Sequence, residues 1–259
     1  MSEIDFLQLA HATRLVNGKT IYYEIVHEWS AKRHNLVVQL GDFPALLQAH
    51  RNRSQAPYPN NTQIIQVDLT PTVRLANACE ATANCLYSMA EIAANFANKA
   101  SRGQIPSSFN AIRKKCEATP SWIVAGVLGD LQWYRKIREI RTEWTHYSSL
   151  FIAENEGIPL LCIRAYRRLS DRREFNDSNF KCTLPEFVIW VQNALATVDS
   201  FAGFLLNNYV IPEFDLNEIV TIPKTDEFGA PILAEPNRFE VLRVSIREFL
   251  TAGGIAIPG

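Results

Sequence analysis

Between Thr70 and Ser101 the residues Leu75, Cys79, Thr82, Leu86, Met89, Ala93 and Phe96 recur at alternating four- and three-residue steps. Such steps return to the same side of a helix, which turns once every 3.6 residues, so they mark one continuous face. A seam this long has to be buried against other helices, and the alanines beside it let a neighbour approach closely. Thr70 and Pro71 read as an N-cap followed by proline at the first helical position, and Ser101-Arg102-Gly103 as the stop.

Two more long seams follow. The residues Trp122, Gly126, Gly129, Trp133, Ile137, Ile140 and Trp144 predict a helix from about residue 122 to 144 or slightly beyond. Its two glycines read as close-packing positions. Phe187, Val191, Ala194, Val198, Phe201 and Leu205 make a third seam, opened by a Thr183-x-x-Glu186 capping box and ended before Pro212. A short helix over about 107–118 stops ahead of Pro120. Leu150-Phe-Ile-Ala and Ile158–Tyr166 flank a turn-forming Glu154-Asn-Glu-Gly157, which predicts a β-hairpin.

Near the start, Tyr22, Ile25, Trp29, Arg33, Leu36 and Leu40 are spaced as a helix, and a second piece covers about 44–51. A polar stretch over 54–62 reads as a loop. Phe239, Leu242, Ile246 and Phe249 predict one last helix after a proline-rich, acidic stretch. The expected fold is mainly α: an antiparallel helical bundle with an inserted β-hairpin and extra N- and C-terminal segments. Residues 1–65 form an N-terminal helical extension. Residues 66–210 form the bundle, with its hairpin at about 150–168, and 211–259 form an extension packed on it.

A 47% hydrophobic and 20% charged composition excludes a disordered chain. The stretch 121–129, taken as the longest apolar uncharged run, is far below the roughly 20 residues of a membrane helix, so no span is expected. The acidic opening Met1-Ser-Glu-Ile-Asp5 lacks a secretory pattern. Five cysteines without a C-x2-C pair read as reduced, buried thiols of a cytoplasmic protein, with no zinc site and no metal or other cofactor. The net charge of −1 conceals a pattern: residues 102–182 carry 14 basic and 9 acidic side chains, and 183–259 carry 4 and 10. The basic middle third suits an anionic partner, though a solvated helix face accounts for it as well.

The chain has no G-x-S-x-G elbow, phosphate loop, H-E-x-x-H or G-x-G-x-x-G after a strand. His11, His27, His34 and His50 have no acidic or cysteine partners at metal spacing and read as solvated or core histidines. The pointed feature is Arg141-x4-His146, followed by Tyr147. Five residues along a straight helix are turned by about 140° and separated by about 7.5 Å, so the pair converges only if the helix ends early or a second chain supplies the partner. A second stripe, Val127, Leu131, Tyr134, Arg138, Arg141 and Thr145, turns from apolar to cationic toward the helix end. An arginine there also meets the helix dipole, and Glu139 or Glu143 can pair with neighbouring arginines.

The Arg141-x4-His146 pair at the end of a helix resembles the signature of the HEPN superfamily of nucleotide-binding and ribonuclease domains. The resemblance covers about residues 70–208. It implies a homodimer with facing motifs and RNA or a nucleotide as partner; with no span expected, no membrane partner is expected either. In a catalytic member it implies metal-independent RNA cleavage, with His146 moving protons at the ribose 2′-hydroxyl and the leaving oxygen. Arg141 would hold the scissile phosphate, and Arg138, Tyr147, Arg164 and Arg167 would position the backbone. Thr142 departs from the Asn, Asp or His often found in catalytic members. A non-catalytic interaction or ligand-binding module therefore stands level with the ribonuclease.

Overall fold

The computed structural model describes residues 20–53, 55–58, 61–147, 150–155, 158–163, 179–213, 215–224, 232–235 and 238–252. These residues are mainly helical: α1 (Thr20–Arg51), α2 (Thr70–Ala100), α3 (Phe109–Ala118), α4 (Ile123–Leu128), α5 (Gln132–Tyr147), α6 (Leu184–Leu205) and α7 (Ile246–Ala252). The strands are β1 (Gln55–Tyr58), β2 (Asn61–Val67), β3 (Leu150–Asn155), β4 (Ile158–Ile163), β5 (Asn179–Thr183), β6 (Ile219–Pro223), β7 (Leu233–Glu235), β8 (Arg238–Phe239) and β9 (Val241–Ser245). The chain divides into two compact units, 31–91 with 113–199, and 1–30 with 92–112 and 200–259.

In the first of these units, α1 and α2 run antiparallel. Cys85 Sγ donates to the Lys32 carbonyl at 3.1 Å, Thr82 Oγ1 to Gln39 Oε1 at 3.3 Å, and His50 Nδ1 lies 3.0 Å from Thr72 Oγ1. Partners on α1 rise in number as those on α2 fall. The same logic makes α1 antiparallel to α6, through Arg33 paired with Asp199 at 3.0 Å and Phe43 edge-on to Phe187 at 6.1 Å. All seven residues of the predicted α2 seam are buried, and so are all six of the α6 seam. The Thr183–Glu186 capping box forms: the Glu186 N–H donates to Thr183 Oγ1, and the Thr183 N–H to Glu186 Oε2 at 2.8 Å. The Thr183 N–H and hydroxyl both donate to the Glu186 carboxylate and hold it below its ordinary pKa. At α2 the side chain that accepts the first free N–H is Asp68, bonded to Thr70 N at 2.9 Å, two residues before the expected cap.

The hairpin β3–β4 forms in register from Leu150↔Ile163 to Asn155↔Ile158, and β5 adds a third antiparallel strand. In the second unit, the end of α2 turns through Arg102 and Gly103, both at positive φ (53° and 86°). The buried Ser101 hydroxyl accepts the Ile105 N–H at 2.9 Å there. Phe109 and Phe201 pack edge-to-face at 6.4 Å. Beyond Leu205 the chain loosens into a π turn, Leu206–Val210, then a 3-10 turn, Ile211–Glu213, that takes up Pro212.

Several expectations are corrected. The supposed loop over 54–62 carries an antiparallel pair, β1–β2, whose strand signal was masked by Pro57 and the surrounding polar residues. The two N-terminal pieces are one 32-residue helix that continues through Pro44. Leu36 and Phe43, seven residues apart on one buried face, hold it together where proline removes a hydrogen bond. Phe239 and Leu242 lie in strands rather than in the last helix. That helix starts at Ile246 because Ser245 and Glu248 form a second capping box, with the Ser245 N–H donating to Glu248 Oε2 at 2.9 Å. Among the described helices, α6 with its π extension (Leu184–Val210) is long and apolar enough to cross a membrane by length and composition, with mean hydropathy 1.2. The longest apolar stretch among the described helices therefore lies in α6 and not at 121–129. Inside the protein, the α6 seam is buried and Asp199 is paired with Arg33.

The helix expected over 122–144 is two helices. Gly129 ends α4 at φ 56°, ψ −137°, a conformation open to glycine and strained for other residues. Neither glycine is a close-packing position, since a Cβ on Gly126 or Gly129 would meet nothing within 4 Å. The two substitutions should therefore act in opposite directions. Gly126→Ala should raise stability by about 0.5–1 kcal/mol through helix propensity, and Gly129→Ala should lower it by about 1–3 kcal/mol through backbone strain. Urea unfolding of both variants beside the wild type measures each change.

Candidate functional site

Helix α5 positions the predicted Arg/His pair. It is amphipathic over its first half: Trp133, Tyr134 and Ile137 are buried, while Arg135, Lys136 and Arg138 are exposed. Arg141 follows Tyr134 by seven residues, two turns on, and therefore sits on the same side as that buried ring. The placement decides what Arg141 touches. Its guanidinium carbon lies 4.2 Å over the centroid of Tyr87, a cation–π contact to α2.

Tyr87 is not an isolated platform. Its ring is stacked on Tyr134, with centroids 5.8 Å apart and planes 14° from parallel. The Tyr134 hydroxyl donates to Glu91 Oε1 at 2.6 Å, and Trp133 meets the Tyr134 ring edge-on. Tyr87 and Glu91 are one turn apart on α2, so Glu91, Tyr134, Tyr87 and Arg141 form a continuous column between two antiparallel helices. Tyr134 is fully buried, and that burial, reinforced by the bond to Glu91, pushes its phenol well above the ordinary tyrosine pKa. Arg141 itself stays half-buried at the end of the column.

The helix does not end before His146. It runs unbroken to Tyr147, so residues 141 and 146 occupy backbone positions about 140° apart around one axis. This corrects the idea that an early helix end brings them together within one chain. The side chains of His146 and Tyr147 lie outside the described residues, as do Arg164 and Arg167. Arg138 is exposed one turn before Arg141.

No family model, curated protein or solved structure matches this chain.

Other chemistries fare poorly here. Among the described residues no three His, Cys, Asp or Glu side chains are grouped to hold a metal ion. Cys79, Cys85 and Cys116 are buried, and desolvation pushes their thiols up, away from the reactive thiolate. His50 is 2% exposed, tied to Thr72 and to Arg53, and is a structural clasp between α1 and α2. Sequence reasoning missed Tyr87 and Glu91. Their one signal was the i, i+4 spacing of a tyrosine and a carboxylate on a side of α2 away from its seam.

The column makes stability depend on alkaline pH. Because the folded state keeps Tyr134 protonated above its unfolded pKa near 10.0, its contribution is complete below that pH and is lost as the unfolded phenol ionises above it. Stability measured from pH 8 to 11 should fall, and Tyr134→Phe should flatten that fall. Phenolate absorbance should show that one tyrosine of the folded wild type resists titration.

Proposed function

We propose that this protein is a HEPN-like helical module that grips a phosphate of RNA or a nucleotide through Arg141 and acts as a cytoplasmic homodimer. The observation that carries this reading is the seat of Arg141 on Tyr87. A guanidinium seated over a ring keeps N–H donors that point away from that ring. A group held there in advance can grip a phosphate with less ordering left to do. Arg138, exposed one turn away, adds positive charge for attraction of the backbone. In this reading Arg141 binds and orients, and no chemical step is required of the site.

Metal-independent RNA cleavage is the second reading, favoured by the half-exposure of Arg141 at the column's end. The unbroken α5 makes it demand two copies, with Arg141 of one chain and His146 of the other in a shared groove. There His146 would move protons at the 2′-hydroxyl and the leaving oxygen, and Arg141 would oppose the growing phosphate charge. Tyr147, Arg164 and Arg167 would hold flanking phosphates.

Binding of a labelled single-stranded RNA at low salt, read by fluorescence anisotropy, tests the first reading. A charge-assisted bond of about 1.5–3 kcal/mol predicts that Arg141→Ala weakens binding by roughly 10–100-fold. Tyr87→Leu, which removes the ring face but keeps an apolar contact, should weaken it several-fold. Unchanged affinity in Arg141→Ala would rule out phosphate gripping by that residue. Products ending in 2′,3′-cyclic phosphate, formed in chelator and lost in His146→Ala, would establish the second reading instead.

A further inference from the structure

At the other end of α5, about nine residues from Arg141, lies a half-open cleft of about 520 Å³. The end of α4 and Gly129–Asp130 form one side, the first turns of α5 the second, and α6 the third. On α6, Trp190 and Asn193 are three residues apart, Trp190 flanking the buried seam of Phe187, Val191 and Ala194 and Asn193 farther from it. On α5, Gln132 and Lys136 are one turn apart and line the same space, with Trp133 buried behind them. The volume is that of a small-molecule site, within the range of about 300–1,000 Å³ common for such pockets.

The Trp190 indole is half-buried, and the Lys136 ammonium lies 4.1 Å over its centroid. We infer that this cleft binds a small planar aromatic ring bearing a carboxylate or phosphate, with Trp190 as the stacking face and Lys136 as the counter-charge. Three physical points favour that class of ligand. A ring laid on Trp190 takes the seat of the lysine and gains stacking over a broad π-face. The displaced ammonium, on a flexible four-carbon stem, turns to pair with the ligand's oxyanion at the cleft mouth. Gln132 and Asn193 present exposed amides, each both donor and acceptor, to the polar edge of a heteroaromatic ring.

Among the described residues two carboxylates lie nearby, both held at helix starts and both charged, which places the ligand's oxyanion on the Lys136 side of the cleft. Asp130 Oδ1 is engaged by the Gln132 N–H at 2.9 Å, capping α5. Glu186, which feels the charge of Lys136, is engaged by the Thr183 amide and hydroxyl. Lys136 is thus the charge in the cleft that is not tied to a helix cap, and its present seat is the ring face a ligand would occupy.

Adenosine 5′-monophosphate and indole-3-acetate serve as probes of the two oxyanions, with adenosine and indole as their neutral counterparts. Saturation-transfer NMR on the full chain should show binding of at least one anion below about 1 mM, and the neutral counterpart at least about 10-fold weaker. Binding of one anion alone would assign the oxyanion and uphold the site. Trp190→Leu and Lys136→Gln should each weaken binding by about 10-fold or more, Lys136→Arg should retain most of it, and Lys114→Gln, exposed on α3, should leave it unchanged. No transfer to either anion at about 5 mM would overturn the site, as would full affinity in the correctly folded Lys136→Gln protein. The inference does not rest on the Arg141 reading: it concerns other residues, and because a nucleotide could also bind at Arg141, the Trp190 and Lys136 variants and the indole-3-acetate probe keep the two able to fail separately.

Discussion

The buried face of α2 is the constraint on which the other helices depend. Along one side, Leu75, Cys79, Thr82, Leu86, Met89, Ala93 and Phe96 are sealed from solvent, and Ala76, Ala83, Ala90, Ala94 and Ala97 are buried beside them. Alanine there does two things. It has the best helix propensity, and its small side chain lets helix axes come toward the short end of the usual 8–10 Å separation. The contacts of α1 fall along or beside this face, and those of α5 fall on another side of α2. Thr82 meets Gln39, Cys85 meets the Lys32 carbonyl, and Glu91 meets Tyr134.

Polar groups beside that face and on the other side of α2 set which helices pair and in which register. Apolar seams alone slide at little cost, whereas a hydrogen bond must be remade at every step. The Tyr134 hydroxyl bound to Glu91, with Tyr87 stacked on the same ring, fixes α5 along α2 and places Arg141 over Tyr87 as a consequence. The candidate phosphate grip is thus a by-product of helix registration. The position of its guanidinium over Tyr87 follows from the contacts that register α5 on α2.

Capping residues punctuate the chain with similar economy. Thr183 with Glu186, and Ser245 with Glu248, start α6 and α7 by the same reciprocal pair of bonds. Asp68 and Asp130 satisfy free N–H groups at the starts of α2 and α5. The break at Gly129 separates α4 from α5 and opens the cleft beside Trp190. One backbone conformation that glycine tolerates thereby creates a concave surface that a straight helix through this region would not have.

The sequence by itself determined the periodic faces. The α2 and α6 seams, the Thr183–Glu186 box and the β3–β4 hairpin were legible because each rests on residues a few positions apart. It also singled out Arg141, through the change from apolar to cationic along one stripe of α5. It did not reveal β1–β2, the passage of α1 through Pro44 or the break at Gly129, because there local preference is overruled by partners distant in the chain or by a single backbone angle. Nor could it show that Arg141 rests on Tyr87, 54 residues earlier in the numbering, since a cation–π contact leaves no spacing to read. Only the tertiary structure decided that the helix stays whole through His146, so the pair that stood out as a motif is divided between two sides of one helix.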